Sequence, residues 1–458
     1  MEYFHLFYLK ISFFWYNNLM EKIVNVIGAG LAGCECAYQL ANAGIKVKLF
    51  EQKPLKFSKA HINSNFAELV CSNSLKSNEL INACGLLKQE MRFLNSLIIN
   101  VADKTSVPSG SALSVDRKQF AKLITQKIKE HKNIEIINEC VENIPLDEIT
   151  VIATGPLTDE ALAKNLANLI GEESLYFFDA AAPIVSLSSL DKNRYFIGNR
   201  YEKTLDDNTE GDYVNCTMTK DEYDKFYSEL INAKTVELKE FENKKVFEGC
   251  MPVEVMAKRG YKTLLFGMLK PVGLFDKEHN LKPYAVLQLR KESNFNDLYN
   301  MVGFQTNLLF GEQKRVFSLI PALKNAEFVK YGVMHKNTYL NAPKVLNNLY
   351  QLKCNPNIYI AGQLSGVEGY VESTASGLNV ALNIIQKFNN KEPKTLSSKT
   401  AIGSLINYIS SASPVNFQPM NANWGIIDKD GKKDKAEIIE SALREVEEVK
   451  KYVEKSLQ

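Results

Sequence analysis

A β-branched run, IVNVIG at residues 23–28, leads directly into Gly28-Ala29-Gly30-Leu31-Ala32-Gly33, and a helical pattern follows from Leu31 to Ala43 until Gly44 stops it. A strand that enters a glycine turn and opens a helix is the first half of a βαβ unit. The next strand, IKVKLFE, ends in an acid at Glu51. Each residue type has a task in such a unit. Gly28 allows the tight turn, Gly30 lets the backbone approach a pyrophosphate, and Gly33 lets helix and strand pack closely. Ala29, Leu31 and Ala32 complete the turn, whose N–H groups and helix dipole favour phosphate. Glu51 stands where it would accept ribose hydroxyls. Glycine spacing alone is a weak signal, since glycine turns are common. Strand, helix and acid in register make it a dinucleotide site.

The alternation continues along the chain. LINACGLLKQEMRFLNSLI (80–98) and RKQFAKLITQKIKEH (117–131) are helical in period, while NIEIIN and TVIATG read as strands. From about Asp179 to Lys330 the texture changes, with VKYGVM, TLLFGM and YAVLQLR alternating among turn residues. Strand, glycine turn and amphipathic helix return at NIYIAGQLSGVEGYVESTASGLNVALNIIQ. The expectation is an α/β fold, a Rossmann-type FAD-binding domain with a parallel sheet, split by a smaller α+β insertion domain. The cofactor domain would occupy 20–178 and 331–426, and the insertion 179–330. A non-core extension (1–19) would precede them, and a charged helix (427–458) would follow and pack on the surface or on a partner. FAD is favoured over NAD because two distant segments return to the reassembled domain: Thr154-Gly155, and the late strand ending at Gly362. The plain alternative for the second is an ordinary βα turn.

At 458 residues the chain exceeds one compact core. Its 55 Lys+Arg against 53 Asp+Glu leave a formal charge of +2, so bulk charge does not point to a nucleic acid, although a local basic face stays open. The opening MEYFHLFYLKISFFWYNNL is apolar but interrupted by Lys10, with no basic leader or small-residue cleavage site. It reads as an upstream translation start or a peripheral extension. No membrane span is expected, and the protein is expected to be cytoplasmic.

The eight cysteines contain no CxxC pair and no His spacing for zinc, so no metal site is expected, and thiols point to a reducing compartment. Cys34, Cys36, Cys84, Cys140 and Cys354 read as buried structural thiols. Cys71 differs, standing where an apolar segment meets a Ser/Asn-rich turn expected to open a helix. Cys250 also differs, lying between Gly249 and Pro252 with Lys244, Lys245, Lys258 and Arg259 nearby. Both settings favour thiolate, by helix N-terminus or positive field.

AELVCSNSLKSN, VPSGSALSVDR, ATGPLT, DAAAPIV, FEGCMPVEVMAKRG, LFGMLKPVGL, YGVMHKNTYLNAP, AGQLSGVEGYVESTASG and NFQPMNANWG together resemble the folate- and FAD-dependent RNA uracil-C5 methyltransferases, the TrmFO family. The resemblance runs from Met20 to about Ile426, and the family is similar in fold to the wobble-uridine modifier MnmG. It implies FAD as cofactor, methylenetetrahydrofolate as carbon donor and NAD(P)H as reductant, with a uridine of the tRNA T-loop, or of ribosomal RNA, as target. By motif match Cys250 would add to C6 of uracil, a poor nucleophile at C5 until a thiolate attacks it. Cys71 would be its partner in proton transfer or in protecting the reactive intermediate. Lys258, Arg259, Lys262 and Lys270 would hold phosphates, with a solvated charged face as the alternative. His335 has no assigned task. Three other readings stay open. A wobble-uridine modifier should lack the EGCMP block. A small-molecule flavin oxidoreductase would need neither cysteine, and a noncatalytic flavoprotein would bind RNA without adding carbon.

Overall fold

The computed structural model describes residues 22–58, 60–171, 175–180, 182–202, 212–236, 251–277, 280–291, 298–332, 334–414, 417 and 419–457. Its main sheet has the order Gln351–Leu352, Asn355–Ile360, Thr150–Ile152, Ile23–Ile27, Lys46–Glu51, Ile134–Asn138. All neighbours are parallel except the edge hairpin formed by the first two. Val24, Val26, Val151, Ile152, Ile358 and Ile360 are fully buried, as strands covered on both faces require. Register then decides where function can sit. Ile27 pairs with Ile152, and Ile152 with Ile360, so three strands end side by side. The ladder runs on into the turns through Ala153 N to Ile27 O (2.8 Å) and Ala361 N to Ile152 O (2.9 Å). Strand order reverses beside Ile23–Ile27, and the carboxyl end of such a sheet is where a crevice opens.

Above these ends, helices Leu31–Asn42 and Tyr370–Phe388 pack backbone to backbone. A Cβ on Gly377 would lie 2.2 Å from the Ala32 carbonyl oxygen. The charged helix near the chain end, Lys435–Ser456, does not merely rest on the surface. It buries Ile438, Ala442, Val446, Val449 and Val453 along one stripe, against helices Ala83–Phe93 and Tyr370–Phe388, and so joins the main core.

The helical period of 80–98 belongs to two helices. Ala83–Phe93 ends before Asn95, whose φ is 57°, and Leu97–Lys104 begins anew. The break is made by a local cap, Ser96 Oγ accepting from Ile99 N (3.2 Å), and by a distant buried carboxylate. Glu35 accepts from Ser96 Oγ (2.7 Å), Leu97 N (3.1 Å) and Ile98 N (2.9 Å), the last two being amides that a continuing helix would have consumed.

The intervening segment builds a second, antiparallel sheet in the order Tyr195–Ile197, Tyr213–Met218, Ala285–Lys291, Leu298–Met301, Ile184–Ser186, Phe328–Lys330. Helix Lys220–Asn232, started by a Thr219/Glu222 capping box, packs on it around a separate core that includes Tyr223, Phe226, Phe304 and Phe317. TLLFGM, strand-like in sequence texture, instead forms a short helix at Thr263–Phe266 that buries Leu264. The chain leaves and re-enters the first sheet through an antiparallel ribbon, Leu175–Ala180 with Met334–Tyr339. This is the α/β architecture expected, a Rossmann-type sheet interrupted by an α+β insertion.

Because Glu35 is fully buried and closes two backbone donors, Glu35→Ala should destabilise the protein by about 3 kcal/mol through orphaned N–H groups. Urea unfolding followed by circular dichroism measures this; an unchanged midpoint would refute the capping account.

Candidate functional site

Gly28, Ala29, Gly30, Leu31, Ala32, Glu51, Thr154, Gly155 and Gly362 line one cleft at the carboxyl ends of the parallel strands, and Cys71 lines it too. Gly33 lies behind its wall. A Cβ there would fall 1.8 Å from the Gly28 carbonyl oxygen, so only glycine lets the helix start this close to the strand. Gly28 has φ 101°, and a Cβ on it would meet Ala153 O at 2.7 Å. Gly30 is the opposite case: the nearest atom to its Cβ would be 4.0 Å away, so its outer side faces open space.

Glu51 holds the turn together. Its Oε2 accepts from Ala29 N (2.9 Å) and its Oε1 from Lys53 N (3.0 Å). Cys34 Sγ lies 3.3 Å from Ala29 O, and burial pushes that thiol's pKa up, so it stays a neutral donor. Helix Leu31–Asn42 has no side-chain cap and no acid in its first turn. Its leading N–H groups therefore keep their positive field for an anion. The residues fit FAD on these grounds: an uncapped helix start, an open side at Gly30, and a carboxylate fixed at the end of the second strand. On the far wall Thr154 Oγ and Thr158 Oγ are 2.7 Å apart, and Gly362 N donates to Ser376 Oγ (2.7 Å).

Cys71 is half-buried at this cleft, but its setting differs from the expected helix start. Residues Ser74–Ser77 form a strand, and the next helix begins only at Ala83. Its segment is held from three sides instead. Tyr370 Oη accepts from Cys71 N (2.8 Å) and Ser72 N (3.4 Å), and burial drives that phenol's pKa up, so it remains neutral. Lys76 pairs with the buried Glu372 at 2.8 Å. From the insertion sheet, Arg290 donates to Ser72 Oγ (2.6 Å) and Asn73 Oδ1 (2.9 Å), while Asn73 Nδ2 donates to Lys291 O (2.9 Å). Tyr213 Oη adds a bond to Ser109 O at 3.1 Å. The Cys71 segment is thus bonded directly to the antiparallel sheet.

Cys250, with Lys244 and Lys245, lies outside the described residues. The chain resumes at the buried Met251, and Val253 N donates to Gln305 O (2.7 Å). The His335 side chain is likewise outside. Lys258, Arg259 and Lys262 are exposed, and Lys270 is half-buried. Of the thiols read as structural, Cys34 and Cys36 are buried, but Cys84 and Cys140 are only half-buried and Cys354 is exposed. Cys354 occupies the turn of the edge hairpin, where a side chain has nothing to pack against, and Cys140 reaches the cleft wall. Sequence reasoning passed over Tyr370, Lys53 and His61, which also line the cleft. Tyr370 had a signal in its place after the late glycine turn; Lys53 and His61 are brought in only by the fold. Among the described residues no group of three or more His, Cys, Asp or Glu side chains could hold a metal ion, and no helix is long and apolar enough to cross a membrane.

A divided parallel sheet, a glycine turn at its switch point and an acid on the adjoining strand define a Rossmann-type FAD-binding protein. The family model of glucose inhibited division protein A matches residues 23–392. The methylenetetrahydrofolate–tRNA-(uracil-5-)-methyltransferase TrmFO of Acetivibrio thermocellus is 55% identical over 442 residues, covering 95% of this chain and 100% of that protein. The TrmFO of Bacillus licheniformis is 54% identical over 91% of this chain and 94% of its own length. The structure of Aquifex aeolicus GidA superposes with a TM-score of 0.69 at 14% identity, over 96% of this chain and 74% of that one, a likeness of fold. The chain belongs to the TrmFO family, within the wider GidA group.

Gly30→Val should place its side chain in the open side of the turn and empty the site while the fold stands. The expected outcome is a folded, colourless protein, read from the flavin-to-protein absorbance ratio with circular dichroism as the control. Full flavin content in this variant would refute the placement.

Proposed function

We propose that this chain methylates C5 of a uridine in tRNA, the T-loop position that gives ribothymidine, with methylenetetrahydrofolate as carbon donor and NAD(P)H as reductant. The observation that carries the reading is end-to-end similarity to TrmFO relatives together with Cys71 on the same cleft as the glycine turn. FAD, when bound and reduced, supplies the electrons that bring the transferred carbon to the methyl level. Gly28–Gly33, Glu51, Thr154, Gly155 and Gly362 hold it.

The protein's own part is to make C5 nucleophilic and to manage protons. The Cys250 thiolate adds to C6, which moves electron density to C5 and its enolate oxygen. Once C5 has gained its carbon, loss of the C5 proton and release of the thiolate restore the aromatic ring. Cys71 serves as the proton-transfer group or shields the reactive carbon. Tyr370 and Arg290 keep the Cys71 backbone at the cleft wall, Tyr370 as a neutral phenol accepting two amide protons. Working boundaries follow the same reading: 20–178 and 331–426 for the cofactor domain, and 179–330 for the insertion that carries Cys250. Soluble tRNA as substrate places the enzyme in the cytoplasm. Ribosomal RNA is the second target to test, since the same chemistry serves it.

Carbon-labelled methylenetetrahydrofolate with NAD(P)H should label 5-methyluridine in unmodified tRNA, whereas labelled S-adenosylmethionine should leave it unlabelled. Mass spectrometry of tRNA and rRNA nucleosides reads both donor and target, and label arriving from S-adenosylmethionine refutes the mechanism.

The two thiols separate by trapping. A 5-fluorouridine RNA should form a covalent adduct that peptide mapping places on Cys250, because fluorine does not leave as a proton does. Cys250→Ala should abolish both adduct and methyl transfer, and Cys71→Ala should cripple turnover while still permitting some adduct. An adduct on Cys71 in the unaltered protein would reverse the two roles.

A further inference from the structure

Immediately after Cys250 the chain makes a run of consecutive tight turns. Arg259 N donates to Met256 O (3.1 Å), Gly260 N to Ala257 O (3.1 Å), Thr263 N to Gly260 O (3.0 Å), and Phe266 N to Lys262 O (3.2 Å). One side of this run is anchored. Val253, Ala257, Leu264 and Leu269 are buried in the insertion core. Glu254, also buried, accepts from Asn307 N (2.7 Å) and Thr306 Oγ1 (2.8 Å).

The other side presents an unusual surface. Phe266 is 80% exposed, so its ring contributes almost nothing to folding. Val272 and Phe275, a little further on, are about half exposed. Lys258, Lys262 and Phe266 follow at four-residue spacing, with Arg259 beside them and Lys277 and Lys282 beyond, all exposed. Between residues 251 and 282 the only described carboxylates, Glu254 and Asp276, are buried. Among the described residues of this stretch the exposed charges are therefore of one sign, in a protein whose total is only +2. Like charges gathered this way repel one another. A polyanion offsets that repulsion, and a flat apolar partner is what an exposed aromatic ring wants. RNA with an unstacked base has both.

We propose that this turn run is a docking surface for RNA, on which Phe266 stacks against an unpaired nucleobase while Lys258, Arg259 and Lys262 take the flanking phosphates. The inference rests on the RNA-modifying reading above and adds the face that holds the substrate. Rigid anchoring matters here, because a ring presented on a fixed platform loses little freedom on binding.

The test is fluorescence anisotropy of a labelled, unmodified T-arm hairpin titrated with flavin-loaded protein across a potassium chloride series. Phe266→Ala should weaken binding about ten- to a hundredfold, the loss of one stacked base, and Phe266→Trp should restore it. Lys258→Gln and Lys262→Gln should each make the log–log salt dependence shallower by about 0.7, while Phe266→Ala leaves the slope unchanged. Flavin content reports that each variant is folded, which the exposure of these side chains favours. Unaltered RNA affinity in Phe266→Ala overturns the proposal. So does an effect confined to the KM for methylenetetrahydrofolate, which would make the surface a folate site. A dimer seen by sedimentation that Phe266→Ala dissolves would assign the patch to a second copy and overturn it likewise. If the unaltered protein neither binds nor labels RNA, the enzymatic reading fails; if it does both and Phe266→Ala is indifferent, only this surface fails.

Discussion

The close approach between Gly33 and the Gly28 carbonyl is the constraint on which the rest of the molecule depends. A single methyl group there would sit 1.8 Å from an oxygen atom, so the first helix can start against the first strand only without it. That start lets Ala29 N reach Glu51, places Cys34 against Ala29 O, and leaves the helix's leading amides facing a cleft. The same economy recurs one layer up, where Gly377 lets the late helix touch Ala32. Two close backbone contacts thus set the depth and width of the cleft before any polar side chain enters it.

Buried carboxylates organise the shell around this centre. Glu35 closes the start of helix Leu97–Lys104. Glu90 does the same for helix Ala401–Ser411, accepting from Ala401 N (2.7 Å) and Ile402 N (2.9 Å). Burial pushes both acids' pKa up, Glu90 to about 8, while their amide partners pull the other way. Each acid joins helices far apart in sequence, in places where a surface cap would not reach. Glu372 has a third version of the role, pairing with Lys76 and accepting from Ala422 N at 3.1 Å. These acids are structural, and Glu372 lies two residues after Tyr370 on the same helix.

The seam between the Cys71 segment and the antiparallel sheet is polar and specific, with Arg290, Asn73 and Tyr213 bonding across it to side chains and backbone. Hydrogen bonds fix orientation more sharply than apolar contact does. The Cys71 segment is accordingly tied both to the late helix and to the sheet of the domain whose sequence carries Cys250. The turn run that follows Cys250 in sequence is seated on the insertion core through Val253, Ala257, Leu264 and Leu269.

Local rules were enough for the parallel sheet, the glycine turn with its acid, and the late strand–turn–helix, because 3.6- and 2-residue periods and glycine sterics act within about twenty residues of chain. The local settings of Cys71 and Cys250 marked both as expected thiolates, and the structure sets Cys71 on the cleft. Other features required distant groups to meet. The break at Asn95 has a local part, since Ser96 caps Ile99 N, but its other acceptor, Glu35, lies sixty residues earlier. The Cys71 segment became a strand because Ala112–Val115 pairs with it, in place of the expected helix start. The charged tail buries its stripe because two helices leave a groove of the right width. Tyr370 meets Cys71 across 299 residues of chain. Periodicity records which face of an element is apolar, but only packing decides what that face and its polar neighbours will touch.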